Sequence, residues 1–204
     1  MVTGQVILRY EDIKMNNVKL REEIEEKIDE IGKFYNENKA VILTETDLQC
    51  ILYQKLLEIE TLNKMEKTNN EEDFRTHYVH TEVSWFDNNG RLTMKPDISL
   101  ISPSNLTIES GSKDIRMPTK GFYFLEGGII FELKFNRSKS SKRFLNEIKK
   151  DFEKFERLKQ MNDEIFCYFV VFNKTNNKSR ELDSFLLEKA SSSTHKLIYK
   201  TANV

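Results

Sequence analysis

The sequence predicts an α/β fold, a central mixed β-sheet flanked by helices, on three observations. Apolar residues recur at helical spacing over 18–37 and 141–161. Short extended segments separated by turn signals lie between these helices. After the second one, residues 165–172 are continuously apolar, as in a strand buried on both faces. A single domain is expected over 1–204, with 1–40 a helical N-terminal extension and 102–119 an insertion loop.

The elements follow in order. Leu20, Ile24, Ile28, Ile31 and Tyr35 recur at steps of three and four, which makes 18–37 a helix. A second helix starts near Thr44, where Asp47 three residues on resembles a capping box, and Leu48, Leu52 and Leu56 form its stripe. Residues 61–73 are polar and read as a loop. Residues 77–86 read as extended. Asp87-Asn88-Asn89-Gly90 then signals a hairpin, because Asn-Gly tolerates the positive φ of tight turns. Residues 91–101 return as a strand. A second hairpin is expected where 121–125 and 129–135 flank Glu126-Gly127-Gly128. Phe144, Ile148, Phe152, Phe155 and Leu158 give 141–161 one apolar face. A short helix over 180–190 and a last strand over 196–199 complete the chain, which has no internal repeat.

The 204 residues suffice for one core. The 32% of charged residues exceeds the globular norm and implies solvated helix faces, since the apolar residues keep their period. A net charge of −1 excludes a general basic coat, so any nucleic-acid contact must come from a local patch. Cys50 and Cys167 have no close spacing; both are expected as buried thiols in a reducing cytosol. Residues 1–10 lack a basic region followed by an apolar run, and no stretch approaches the roughly 20 apolar residues of a membrane span. A cytoplasmic protein without a membrane partner is expected.

The chemistry centres on Pro96-Asp97 and, 35 residues after Asp97, Glu132-Leu133-Lys134. Side chains alternate along a strand, so Glu132 and Lys134 share one face while Phe131, Leu133 and Phe135 point into the core. Asp97, between Pro96 and Ile98, faces away from the apolar side. On neighbouring strands Asp97 and Glu132 would converge and repel each other. Mg²⁺ or Mn²⁺ relieves such repulsion, and hard oxygen ligands suit both ions. Lys134 could orient a water, help it lose a proton, or offset charge growing on a phosphate. Glu25 with Lys27, and Glu147 with Lys149, share the spacing but sit in helical patterns, where i and i+2 diverge.

This order of elements, with Pro96-Asp97, Glu132-Leu133-Lys134, an amphipathic helix and a buried strand, resembles the PD-(D/E)XK nuclease superfamily. The superfamily includes many restriction endonucleases, Holliday-junction resolvases and phage exonucleases. The resemblance covers roughly 44–172 and implies a restriction-endonuclease-like core of order αβββαβ. It implies that Asp97 and Glu132 bind Mg²⁺ (or Mn²⁺), that the Leu133 carbonyl also ligates it, and that Lys134 is the catalytic lysine. It further implies an acid on the helix preceding the sheet. Glu45 is preferred; Asp47 competes but also suits a helix cap, and Glu82 is a rival on the side of its strand shared with His80 and Ser84. The long run between Asp97 and Glu132 departs from the pattern. His80 as a third ligand, as in cap-snatching viral nucleases, is a further alternative. His77 and His80 lack the partners of a zinc set.

The dense basic run beside the proposed site supplies Arg137, Lys139, Lys142 and Arg143 to grip a nucleic-acid backbone, and Lys149, Lys150 and Lys154 continue it. Asp151 and Lys154 read as a surface pair, His195 as a surface residue, and Trp85 as core packing rather than base stacking. The expected function is a metal-dependent endonuclease acting on DNA, in restriction, phage defence or repair. Two alternatives stay open: a catalytically silent or partner-dependent subunit of a larger assembly, and an RNA endonuclease. A homodimer or larger complex is compatible with either.

Overall fold

The stripes and alternations of the sequence bury against one central sheet in the computed structural model, which describes residues 18–38, 40–71, 73–86, 92–107, 123–124, 127–137, 141–161, 163–174 and 178–201. Two helices come first, α1 (Val18–Glu37) and α2 (Glu45–Leu57). Three strands follow, β1 (Val79–Thr81), β2 (Ile98–Leu100) and β3 (Ile129–Asn136). Then come α3 (Ser141–Met161), β4 (Phe166–Asn173), α4 (Arg180–Glu188) and β5 (His195–Thr201). The sheet order is β5-β4-β3-β2-β1, so each strand pairs with its predecessor in the chain. The β1–β2 and β2–β3 pairs are antiparallel, and the β3–β4 and β4–β5 pairs are parallel.

Both sheet faces are covered. On one, Phe131, Leu133, Tyr168, Val170 and Phe172 pack against the stripes of α1 and α2. On the other, Ile130, Cys167, Phe169 and Val171 meet Phe144, Ile148, Phe152 and Phe155 of α3 and Leu182 of α4. β4 is therefore buried along its whole length, as its continuous apolar run demands. Leu20, Ile24, Ile28, Ile31 and Tyr35 all belong to the first of these cores. Thus α1 is one wall of the domain rather than an extension beside it.

Several expectations need correction. Among the described residues the second hairpin is not formed: Tyr123–Phe124 pairs with Leu106–Thr107, while β3 pairs with β2 and β4. The returning strand is split into Leu92–Met94 and β2, because Pro96 between them has no N–H for a ladder. The extended stretch before it breaks at Glu82, whose φ of 59° lies in the left-handed region. Its remainder, Trp85–Phe86, pairs with Leu92–Met94 as the first hairpin requires, and the turn at 87–90 lies outside the described residues. The polar loop contains Glu66–Lys67, paired with Arg75–Thr76. Most of the insertion, 108–119, also lies outside the described residues. Cys50 is exposed and only Cys167 is buried. His195 is buried beside the Phe152, Phe155 and Phe169 rings, with Nδ1 2.8 Å from Ser192 Oγ.

One glycine sets the approach of β3 to β4. A Cβ on Gly127 would lie 2.4 Å from the Glu164 carbonyl oxygen. The next residue, Gly128, accepts the Phe166 N–H at 2.9 Å, at the start of the parallel pair. Gly127→Ala is expected to destabilise the protein by about 1–3 kcal/mol, because the clash is with backbone. Thermal unfolding checks this; an unchanged midpoint would show that the turn shifts freely.

Candidate functional site

The site is assembled at one end of β3 from both helical layers. Its first wall is the start of α2. Thr44 Oγ1 accepts the Asp47 N–H at 3.0 Å, and Asp47 Oδ2 accepts the N–H groups of Thr44 and Leu43, each at 2.9 Å. Asp47 is thereby committed to the helix cap, and these bonds hold its carboxyl below the usual carboxylate range. Glu45 is left at the first residue of the helix, where an anion is favourable. Its Oε2 accepts the Phe135 N–H at 3.3 Å, and its Oε1 lies 3.5 Å from Lys134 Nζ.

Asp97 is pinned through its backbone. Its N–H donates to the Phe131 carbonyl at 3.1 Å. Its own carbonyl accepts from Gln49 Nε2 at 2.7 Å and from the Glu82 N–H at 3.2 Å. Its Oδ2 accepts the Leu133 N–H at 2.6 Å. The Glu82 carboxylate is half exposed, pairs with Lys95 and Gln49, and its charge helps raise the Asp97 carboxyl. His80 is paired in register with Ser99, and burial lowers its pKa.

Glu132 and Lys134 share the face of β3 that α3 covers. Glu132 is only 7% exposed, with Oε1 3.2 Å from Lys134 Nζ. The same ammonium donates to the Leu133 carbonyl at 2.9 Å and lies 3.1 Å from Asp151 Oδ2. Asp151, only 4% exposed, also holds Lys154 Nζ at 2.7 Å. It is not one half of a surface pair, as its Lys154 spacing suggested, but a buried acid under the site. Its signal is positional: Phe144, Ile148, Asp151, Phe155 and Leu158 form one continuous stripe of α3, so an acid falls among core positions. Gln49 carries a similar positional signal: it sits one turn after Glu45, on the same side of α2.

The electrostatics follow from burial. Desolvation pushes the Asp97 carboxyl up to about 6, against the opposing pull of the Leu133 N–H and the Lys134 ammonium. Glu132 is also pushed up, first by burial and then by Asp151 and Asp97, although Lys134 pulls it down. Burial alone would lower the Lys134 pKa, but Glu132, Asp151, Glu45 and Asp97 outweigh it, so the amine is held above its ordinary value.

Of the basic run, Arg137, Lys142 and Arg143 are exposed, and Lys139 lies outside the described residues. Arg143 pairs with Glu147 at 3.1 Å. Lys142, Arg143, Asn146, Glu147 and Lys150 line an open groove of about 510 Å³ on the outer side of α3. The Trp85 side chain lies outside the described ones.

Comparison with protein-family models, curated proteins and solved structures gives no match for this chain. Among the described residues, no three His, Cys, Asp or Glu side chains are grouped to hold a metal ion by themselves. A cation at this site would therefore rest on two carboxylates, Asp97 and Glu132, completed by the Leu133 carbonyl. These donors are hard oxygens, and burial raises the proton affinity of both acids. That chemistry fits Mg²⁺ or Mn²⁺, which keep several waters and need few protein ligands.

Proposed function

We propose that the chain is a metal-dependent nuclease that hydrolyses phosphodiester bonds of DNA, built on a restriction-endonuclease-like core. The observation that carries this reading is the convergence of Glu45, Glu132 and Asp151 on the Lys134 ammonium, within 3.5 Å, with Asp97 bonded to the backbone between Glu132 and Lys134. The order α2-β1-β2-β3-α3-β4, with an antiparallel trio followed by a parallel strand, supports the core assignment.

A divalent cation supplies Lewis acidity toward phosphate and a more acidic water. The chain's own groups do the rest. Asp97 and Glu132 hold the cation with the Leu133 carbonyl, and Glu45 adds negative charge from the helix side. Lys134, held as an ammonium by the surrounding carboxylates in the cation-free protein, would orient a water and offset charge growing on the phosphate. Arg137, Lys142 and Arg143 meet the flanking phosphates, which position the strand without reading its sequence.

The test is Mn²⁺- and Mg²⁺-dependent cleavage of circular and linear DNA, with matched RNA, by the purified chain beside its Asp97→Ala variant. DNA cutting that needs the metal and falls to background in the variant is the expected result. Cutting that survives the substitution overturns the site. RNA cut in preference to DNA makes the protein an RNA endonuclease. Mn²⁺ binding without cutting makes it a partner-dependent subunit.

A further inference from the structure

Lys134 has more acceptors than it can serve. An ammonium carries three N–H donors. Within reach of Nζ are the Leu133 carbonyl at 2.9 Å, Asp151 Oδ2 at 3.1 Å, Glu132 Oε1 at 3.2 Å and Glu45 Oε1 at 3.5 Å. Two of these, from Leu133 and Glu132, are the oxygens the proposed cation needs. The other two are not. Glu45 is 43% exposed, lies farthest away and already accepts the Phe135 N–H. Asp151 is buried, and its second oxygen is held by Lys154 at 2.7 Å. Its carboxylate is therefore fixed in direction and is the firmer of the two alternative holds.

We propose that Asp151 is a positioning residue that holds the Lys134 ammonium when a divalent cation claims Glu132 and the Leu133 carbonyl. Lys134 and the cation compete for the same two oxygens. Asp151 decides the competition by giving the ammonium somewhere else to stay, still beside the reacting phosphate. Lys154 braces Asp151 from the other side. This rests on the nuclease reading above and adds a residue outside Pro96-Asp97 and Glu132-Leu133-Lys134.

Calorimetric titration with Mn²⁺ alone tests it through a double-mutant cycle on Asp151→Asn and Lys134→Met. Asp151→Asn is expected to weaken Mn²⁺ binding about tenfold while Lys134 is present, the coupling typical of residues in contact, and far less once Lys134 is replaced. The same factor in both backgrounds would make Asp151 a general electrostatic or structural residue and overturn the proposal. A second measurement needs no Lys134 variant. The Lys134 ammonium resonance, followed by NMR during Mg²⁺ titration, should stay sharp in the unaltered chain and broaden in Asp151→Asn. Identical responses in the two chains would also overturn it. An unaltered chain that binds no Mn²⁺ removes the nuclease reading and this inference together; one that binds Mn²⁺ without coupling removes this inference alone.

Discussion

Replacing Lys134 by alanine is expected to destabilise the cation-free protein by about 3–5 kcal/mol, the typical result of removing one partner from a buried ion pair. For a chain of this size that lowers the unfolding midpoint by roughly 10 °C. Glu132 and Asp151 are almost fully buried, and the ammonium between them is their shared counter-ion. Asp151 would keep Lys154, whereas Glu132 would lose the side chain that neutralises it. The loss should depend on pH. Glu132 is already pushed up by burial, and without the ammonium it rises further. Both folded chains then keep this proton below about pH 8, and only the unaltered chain releases it readily above, so the deficit due to Glu132 opens as pH rises past about 8. Unfolding at pH 10 and pH 7 would show a larger deficit at the first than at the second. Equal stability of variant and unaltered chain at pH 10 would show that Lys134 is not the counter-ion of the site.

Asp97→Asn should act in the opposite sense on stability and abolish metal binding. The Asp97 carboxyl is raised from 3.8 to about 6 in the folded protein, chiefly by desolvation. Between about pH 4 and 6 the folded chain binds a proton that the unfolded chain has released, so this group's contribution falls as pH rises through that window. Above pH 6 the ionised Asp97 costs on the order of 2 kcal/mol, allowing for its partial exposure. Asparagine keeps an oxygen for the Leu133 N–H and removes the charge. The variant is thus expected to be more stable than the unaltered chain by about that amount at pH 8, with the difference closing near pH 4. Chemical denaturation across this pH range checks it; a variant less stable at pH 8 would mean that the carboxylate is favourably held. A residue whose replacement stabilises the fold is held there by something other than folding.

Local information in the chain marked most of the fold. The stripe of Leu20, Ile24, Ile28, Ile31 and Tyr35 marked α1 in full, because a helix is written by its own spacing. Glu132 and Lys134 were legible as a pair, because strand alternation sets their shared face before any partner is known. What escaped was non-local. Tyr123–Phe124 looked like a hairpin arm to β3 but found Leu106–Thr107 instead, since pairing depends on where the sheet already has neighbours. Asp151 looked like half of an i, i+3 ion pair with Lys154, which it also is. That it serves Lys134 from below became visible only once α3 lay across β3. Likewise, three hydrogen bonds at the cap of α2 occupy Asp47, while Glu45 lies beside Lys134; neither placement shows in the sequence alone.

The small clasp between Leu106–Thr107 and Tyr123–Phe124 has a consequence for how such a protein can diversify. It closes the segment between 107 and 123 at its base, before the chain enters the strand that carries Glu132. Residues added between the two clasped pairs lengthen a segment whose ends are already tied together. Each doubling of a flexible closed segment costs only about 0.6 kcal/mol of closure entropy. The distance from Asp97 to Glu132 along the chain can therefore grow or shrink across generations while their separation in space stays as β2 and β3 set it. New surface can be added there repeatedly, with Asp97 and Glu132 left undisturbed.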